Sequence, residues 1–369
     1  MNSRIARVLL VGLVAATAVV IPATPVQAGV REQQWHLDFL NVAEAHRHSQ
    51  GDGVVVAVVD TGVSPHPDMH RNLLRGTDIL PGGDRKGQSD RSGHGTAMAG
   101  IIAANSQNGG AFGIAPRAKI LPVYVPIPSD GHGDPDQTGA GIEWAITQGA
   151  SVINLSRGGT SAPRLRTAIE AALANDVVVV AAAGNRPGPN YVDYPAAYPG
   201  VVAVSGVDRN GKPAKISVSG EEVTLAAPSN NIWTTSKGND YETGDGTSNS
   251  AAIVSGAAAL IRSRYPDLTA EEVIHRLTAT ATDKGPPGHD PKYGHGIVNL
   301  VAALTADVPP LPQPTPTINP TKITPTPTAQ AIDRNGAGLP WDTIGCGILT
   351  AIAAGIIGTA WHRSRRRTH

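Results

Sequence analysis

Cysteine occurs once, at Cys346, so the chain can form no internal disulfide and no metal site built on several thiolates. Aromatic residues are only 4% of the 369, which leaves Val, Ile, Leu and Ala to fill the core, as in tightly layered α/β folds. Net charge is lacking too. The 30 Lys and Arg balance the 30 Asp and Glu, so no global field directs the protein to nucleic acid or to an acidic partner. Stability must come from packing, and 40% hydrophobic residues over this length suffice for one or two cores.

The two ends differ from the middle. Arg4 and Arg7 precede an apolar run at 8–21, Pro22 and Pro25 interrupt it, and Val26-Gln27-Ala28 has the small-residue pattern of a cleavage site. Residues 1–28 therefore read as a secretory signal and 29–52 as an N-terminal extension too short for a separate folded pro-domain. At the other end, 341–361 reads as a transmembrane helix: 343–361 is uncharged, Trp341 and Trp361 bound it, and Arg363, Arg365, Arg366 and Arg367 follow. That arginine cluster assigns 362–369 to the cytoplasmic side and everything before the span to the outside, a single-pass protein of the cell membrane. Cys346 lies within the span, as an apolar filler. Between globule and span, 307–340 repeats Pro and Thr without apolar periodicity, a semi-rigid tether reaching up to roughly 100 Å in polyproline II form.

In the middle, 53–306, short β-branched runs alternate with helical patterns. Strand-like runs fall at 54–59, 119–125, 152–155, 177–182 and 201–207, and helical patterns at 95–104, 139–147, 165–174 and 251–262. Continuous apolar strands separated by single helices specify a doubly wound parallel sheet with helices on both faces. In such sheets chemistry sits at the carboxyl ends of the strands. There the sequence places Asp60, His94 at a helix start, Ser156-Arg157-Gly158, Asn185 after Gly184, and Ser248 at the start of another helix.

A serine hydroxyl needs a base within hydrogen-bond reach, and His94 is suited to that; a buried Asp60 would fix its tautomer and stabilise the imidazolium. Helix-start amides and Asn185 could bind a developing oxyanion. Taken singly, Asp60 reads as a turn residue, Ser248 as a helix cap and Asn185 as a turn asparagine; it is the combination that points to catalysis. Of the other histidines, His66-Pro67-Asp68-Met69-His70 reads as a loop, because Pro67 breaks any regular helical ligand face, and His46 and His48 read as solvated.

The segments Val58-Val59-Asp60-Thr61-Gly62, Gly93-His94-Gly95-Thr96, Ala182-Ala183-Gly184-Asn185 and Gly246-Thr247-Ser248 together resemble the subtilisin-like serine proteases, over about residues 51–304. The resemblance implies a triad of Asp60, His94 and Ser248, with Asn185 as oxyanion donor. It implies that Ser156, Arg157 and Gly158 bind substrate as an added strand, with Ala183 and Gly184 also in the substrate site. No cofactor and no metal site are expected from the sequence; a structural calcium ion stays open, with no pattern that indicates one. The signal, the segment Arg31-Glu32-Gln33-Gln34-Trp35-His36-Leu37, the tether and the terminal span resemble the mycosins, membrane-anchored subtilases of type VII secretion systems. That resemblance implies a membrane-anchored endopeptidase acting on secreted or envelope proteins, with a secretion complex as partner; the alternative is a non-catalytic scaffold in such a complex. Two positions differ from the family pattern. Asn249-Ser250-Ala251-Ala252 lacks the usual proline, and Arg157 stands where an apolar residue is usual. The Arg157 guanidinium is expected beside the subsites, favouring acidic or small polar substrate side chains over large apolar ones; the alternative is that it turns to solvent and only its aliphatic stem touches substrate, leaving a broad apolar preference.

Overall fold

Unbroken aliphatic runs cannot leave either face of a strand in water, so both faces of the sheet they form have to be covered. The computed structural model describes residues 29–80, 82–83, 86–106, 109–126 and 133–311. The expected signal, nearly all of the tether, the membrane span and the basic tail lie outside these residues. Among the described residues, no helix is long and apolar enough to cross a membrane.

The chain begins with three short helices, α1 (Val30–Gln33), α2 (Trp35–Phe39) and α3 (Val42–Ala45). Then come β1 (Val55–Asp60), β2 (Thr77–Asp78), α4 (His94–Ala103), β3 (Lys119–Tyr124), α5 (Pro135–Thr147), β4 (Val152–Leu155), α6 (Pro163–Ala174) and β5 (Val178–Ala182). The C-terminal part adds β6 (Val202–Val207), β7 (Val223–Pro228), the hairpin strands β8 (Ile232–Thr235) and β9 (Tyr241–Gly244), then α7 (Thr247–Arg264), α8 (Ala270–Ala279) and α9 (Leu300–Thr305). Seven strands form one parallel sheet in the order β2-β3-β1-β4-β5-β6-β7. Because successive side chains of a strand point to opposite faces, Val56 and Val58 of β1 enter one core with α4 and α7, while Ala57 and Val59 enter the other with α5 and α6. Each such buried valine stabilises the fold by about 1.5–3 kcal/mol relative to exposure.

The architecture agrees with the sequence expectation, and the differences have local causes. Helix α5 starts at Pro135 and α6 at Pro163, ahead of their apolar stripes, because each has Pro in its first turn; Asp134 also caps α5. Helix α8 was legible but unread. Thr269 and Glu272 make a reciprocal capping box at its start. Helix α7 is buried almost continuously from Thr247 to Arg262 and so shows no amphipathic stripe. Small residues let it in: a Cβ on Gly256 would lie 2.6 Å from Ile114.

Residues of the N-terminal extension share the main core through Leu37, Leu40, Val42 and Ala45. Gln34 ties the extension down, donating to the carbonyls of Phe112 and Trp233 and accepting from the Phe112 amide. His46, expected in solvent, is instead half-buried, its Nε2 2.8 Å from the Ile114 carbonyl, and burial lowers its pKa. The ring of His66 is also taken into the fold, bonded to the Asp68 amide and facing the Asp240 carbonyl.

His36 is fully buried, and neither ring nitrogen has a hydrogen-bond partner. Burial lowers its pKa from 6.5 to about 3. Acid protonates the unfolded chain first, so the stability present above the unfolded value is lost as pH falls from 6.5 toward about 3. The full effect is on the order of several kcal/mol. Urea midpoints of the wild type should therefore fall more steeply with acidification than those of His36→Leu; parallel curves would place the acid sensitivity elsewhere.

Candidate active site

Asp60 ends β1 at the centre of the sheet, where the strand order departs in both directions and a crevice opens. Its carboxylate is fully buried, and Oδ1 accepts from the Thr61 amide at 2.7 Å and faces His94 Nδ1 at 2.9 Å. Burial pushes this carboxyl up. The charge of His94, then that of Arg157, and the hydrogen bonds from His94 and Thr61 outweigh burial and hold it at about 2. It stays ionised. At His94, burial acts to lower the pKa, but the charge and hydrogen bond of Asp60 prevail and raise it, with Arg157 opposing and Asp90 assisting.

His94 is the first residue of α4, and the helix is held there by a buried acid that sequence reasoning missed. Asp90 Oδ1 accepts from Thr61 Oγ1 and the Gly93 amide at 2.8 Å each, and its Oδ2 accepts from the Thr96 amide and hydroxyl at 2.8 and 2.7 Å. A carboxylate on the exposed amides of a helix start satisfies them and complements the dipole. Gly93 takes φ +96°, a left-handed conformation that a side chain would strain. Gly95 lets α4 approach β1; a Cβ there would fall 2.0 Å from the Gly62 carbonyl oxygen. The sequence signal was an Asp three residues before the helix-opening glycine.

Ser248 lies in the first turn of α7, with its backbone amide among those no helix satisfies internally. In place of the usual proline, Asn249 Nδ2 donates to the carbonyls of Ser229 and Gly244, and the Ser250 hydroxyl faces those of Ala227 and Pro228. Side-chain hydrogen bonds thus fix the helix entry. The Ser248 hydroxyl donates to the Ser156 carbonyl at 2.8 Å, so in this rotamer it is held on the backbone after β4 rather than on the imidazole. Asn185 follows Gly184, whose φ of +115° turns the chain at the end of β5. Its Oδ1 accepts from the amide and hydroxyl of Thr247 at 2.9 and 3.1 Å, which leaves Nδ2 as the free donor end of the amide. Thr247, which orients it, also escaped the sequence reading.

His94, Ser156, Arg157, Gly158, Gly184, Asn185 and Ser248 line one cavity of about 430 Å³. Two expected substrate residues behave differently. Ala183 is fully buried, with its amide bonded to Val204 and its carbonyl to Asp193, so it supports the wall from behind. The Arg157 side chain is only 9% exposed and turns inward, its Nε 3.8 Å from Asp60 Oδ1 and its Nη2 donating to the Val125 carbonyl. It does not project along the subsites. The buried Asp60 charge attracts it. A base paired to a buried carboxylate, a hydroxyl at a helix start and an oriented amide donor are together the components of acyl transfer.

The family model for the subtilase family, peptidase S8, matches residues 51–296. The thermostable alkaline protease of Halalkalibacterium halodurans is 39% identical over 267 residues, 72% of each chain. Subtilisin E of Bacillus subtilis is 40% identical over 264 residues, 69% of this chain and 68% of that one. Among solved structures, MycP1 from the ESX-1 type VII secretion system is similar with a TM-score of 0.67 and 32% identity, over 79% of this chain and 91% of that one. MycP1 from Mycobacterium smegmatis gives 0.65 and 31%, over 85% and 92%.

The inward Arg157 generates a test. The imidazole of His94 should titrate above 6.5, and Arg157→Met, by removing the opposing cation, should raise it further. NMR titration of labelled histidine, with His94 assigned through His94→Gln, reads this. An unchanged His94 pKa in Arg157→Met would show that the guanidinium does not act on the pair.

Proposed function

The chain belongs to the subtilase family, it is a subtilisin-like serine protease with mycosin-like structure, and we propose that Asp60, His94 and Ser248 are its catalytic triad. The observation that carries this reading is the 2.9 Å contact of His94 Nδ1 with a buried, ionised Asp60, opening onto the cavity that Ser248 also lines. On substrate binding the Ser248 hydroxyl leaves the Ser156 carbonyl and turns to His94 Nε2. Oγ attacks the scissile carbonyl carbon as its proton passes to Nε2, and Asp60 stabilises the imidazolium without taking the proton. Asn185 Nδ2 and the Ser248 amide hold the oxyanion. The C–N bond breaks as Nε2 returns the proton to the leaving amine. Water then repeats the sequence on the acyl-enzyme and releases the acid. No cofactor takes part.

The amino-terminal signal, the Pro/Thr tether, and the apolar run followed by arginines support an enzyme held outside the cell membrane. The likeness to MycP1 and to MycP3 of the ESX-3 type VII system supports substrates among secreted proteins, and a secretion complex as partner.

Ser248→Ala, His94→Ala and Asp60→Asn should each lower kcat by the factors established for subtilisin, about 10⁴–10⁶, without loss of folding, and a double variant should be little worse than one single. Additive losses would break up the triad. Asn185→Ala should cost about 10²–10³ in kcat, again the subtilisin scale, with KM nearly constant; a pure KM effect would remove it from the oxyanion site.

Protease added to intact protoplasts should release the catalytic domain by cutting the tether. A protected domain would overturn the topology.

A further inference from the structure

Ser248 and the turn after β4 hold each other through two hydrogen bonds that the catalytic steps do not require. The Ser248 hydroxyl donates to the Ser156 carbonyl at 2.8 Å, and the Ser156 hydroxyl donates to the Ser248 carbonyl at 3.1 Å. Ser156 follows Leu155, where the pairing of β4 with β5 ends, so its carbonyl lies beyond the sheet ladder. Beneath it the Ser156 hydroxyl also reaches Asn154 Oδ1 at 2.9 Å, Asn154 Nδ2 donates to Ser255 Oγ at 3.0 Å, and Ser255 Oγ donates to the Ala251 carbonyl at 2.8 Å. Asn154 and Ser255 are fully buried and Ser156 nearly so. This buried chain pins the end of β4 to α7, so the Ser156 carbonyl is a fixed acceptor beside the cavity that Ser248 lines. A serine has one hydroxyl proton to donate. Given to Ser156 it is withheld from His94, and among the described residues no hydrogen bond joins Ser248 to His94.

We propose that the Ser156 carbonyl makes this protease selective for peptide chains over small esters and amides, because it withholds the Ser248 proton until a substrate N–H takes its place. The inference rests on the triad assignment and on 156–158 as the strand against which substrate lies. The attacked carbon has to come against Ser248 Oγ, which is 2.8 Å from the Ser156 oxygen. The nearest amide on the acyl side of that carbon belongs to the same substrate residue, and an added strand bonds through such amides. A carbonyl oxygen can accept two donors, but they share its charge and repel each other, so the peptide amide loosens the hydroxyl, which turns to Nε2. A ligand shifts an equilibrium only by its differential interaction with the two states. Small esters and amides that carry no such N–H have none, and they meet a hydroxyl still bonded to Ser156.

The test uses the full chain and the rate at which a short alkyl fluorophosphonate, which has no N–H, labels Ser248, with Ser248→Ala as the blank. A peptide that the wild type cleaves is truncated one residue short of the cleaved bond and ended as a primary carboxamide, whose nitrogen stands where the next residue's amide would. The same peptide ended as a methyl ester keeps every side chain and has no N–H there. At saturation the carboxamide should accelerate labelling by about fivefold to tenfold, the factor that one net hydrogen bond supplies, while the ester leaves the rate unchanged or lowers it. Equal effects of the two peptides, or protection by both, overturn the proposal and leave the triad standing. Absence of labelling under every condition is a different result, because it removes the triad and the inference with it.

Discussion

A carboxylate shut away from water has to be neutralised by whatever packs on it, and at Asp60 that requirement organises the surrounding structure. Its Oδ1 draws the Thr61 amide and the His94 ring to hydrogen-bond distance, and the Arg157 guanidinium to 3.8 Å. Coulomb energy in so dry a place is several times its value in water, which is how a fully buried acid remains ionised. The same compensation ties three stretches of chain together: the end of β1, the start of α4 and the turn after β4.

Holding an imidazole against that acid requires α4 to begin at one place and angle. Asp90 supplies this through the amides of Gly93 and Thr96 and the hydroxyls of Thr61 and Thr96, and Gly95 supplies the close approach. Ser248 is placed by a different device. Helix α7 is buried nearly throughout, so its position is set by packing against β4, β5 and β6, and its entry is set by Asn249 and Ser250. A nucleophile at the start of a fully buried helix has little positional freedom, which is what acyl transfer needs. The hydroxyl itself keeps one rotation, and at rest it uses that rotation to bond the Ser156 carbonyl.

Much of this was legible in the chain alone. Periodicity specified the sheet, because Val, Ile and Ala runs without polar interruption can be satisfied only by burial on both faces. The strand-end positions of Asp60, Asn185 and Ser156, and the helix-start positions of His94 and Ser248, followed from the same pattern, and the motifs around them carried the resemblance to subtilases. Thr269 and Glu272 showed as plainly the start of α8, had the spacing been followed.

What the sequence could not decide was direction and partnership. Arg157 read as a subsite residue because its neighbours in the chain are substrate-facing, yet a side chain beside a buried carboxylate goes to the carboxylate, and that proximity exists only after β1 and β4 pair. His46 read as solvated from its neighbour His48, until the fold put the Ile114 carbonyl against it. Asp90 left only a spacing signal, three residues before Gly93, and Thr247 stood inside a motif that did not show it orienting Asn185, 62 residues away in the chain. Local pattern determined which backbone elements form and where their ends fall, because those depend on a few consecutive residues. Only tertiary packing decided where buried charges find their counter-charges, because that depends on distances between segments that no local pattern encodes.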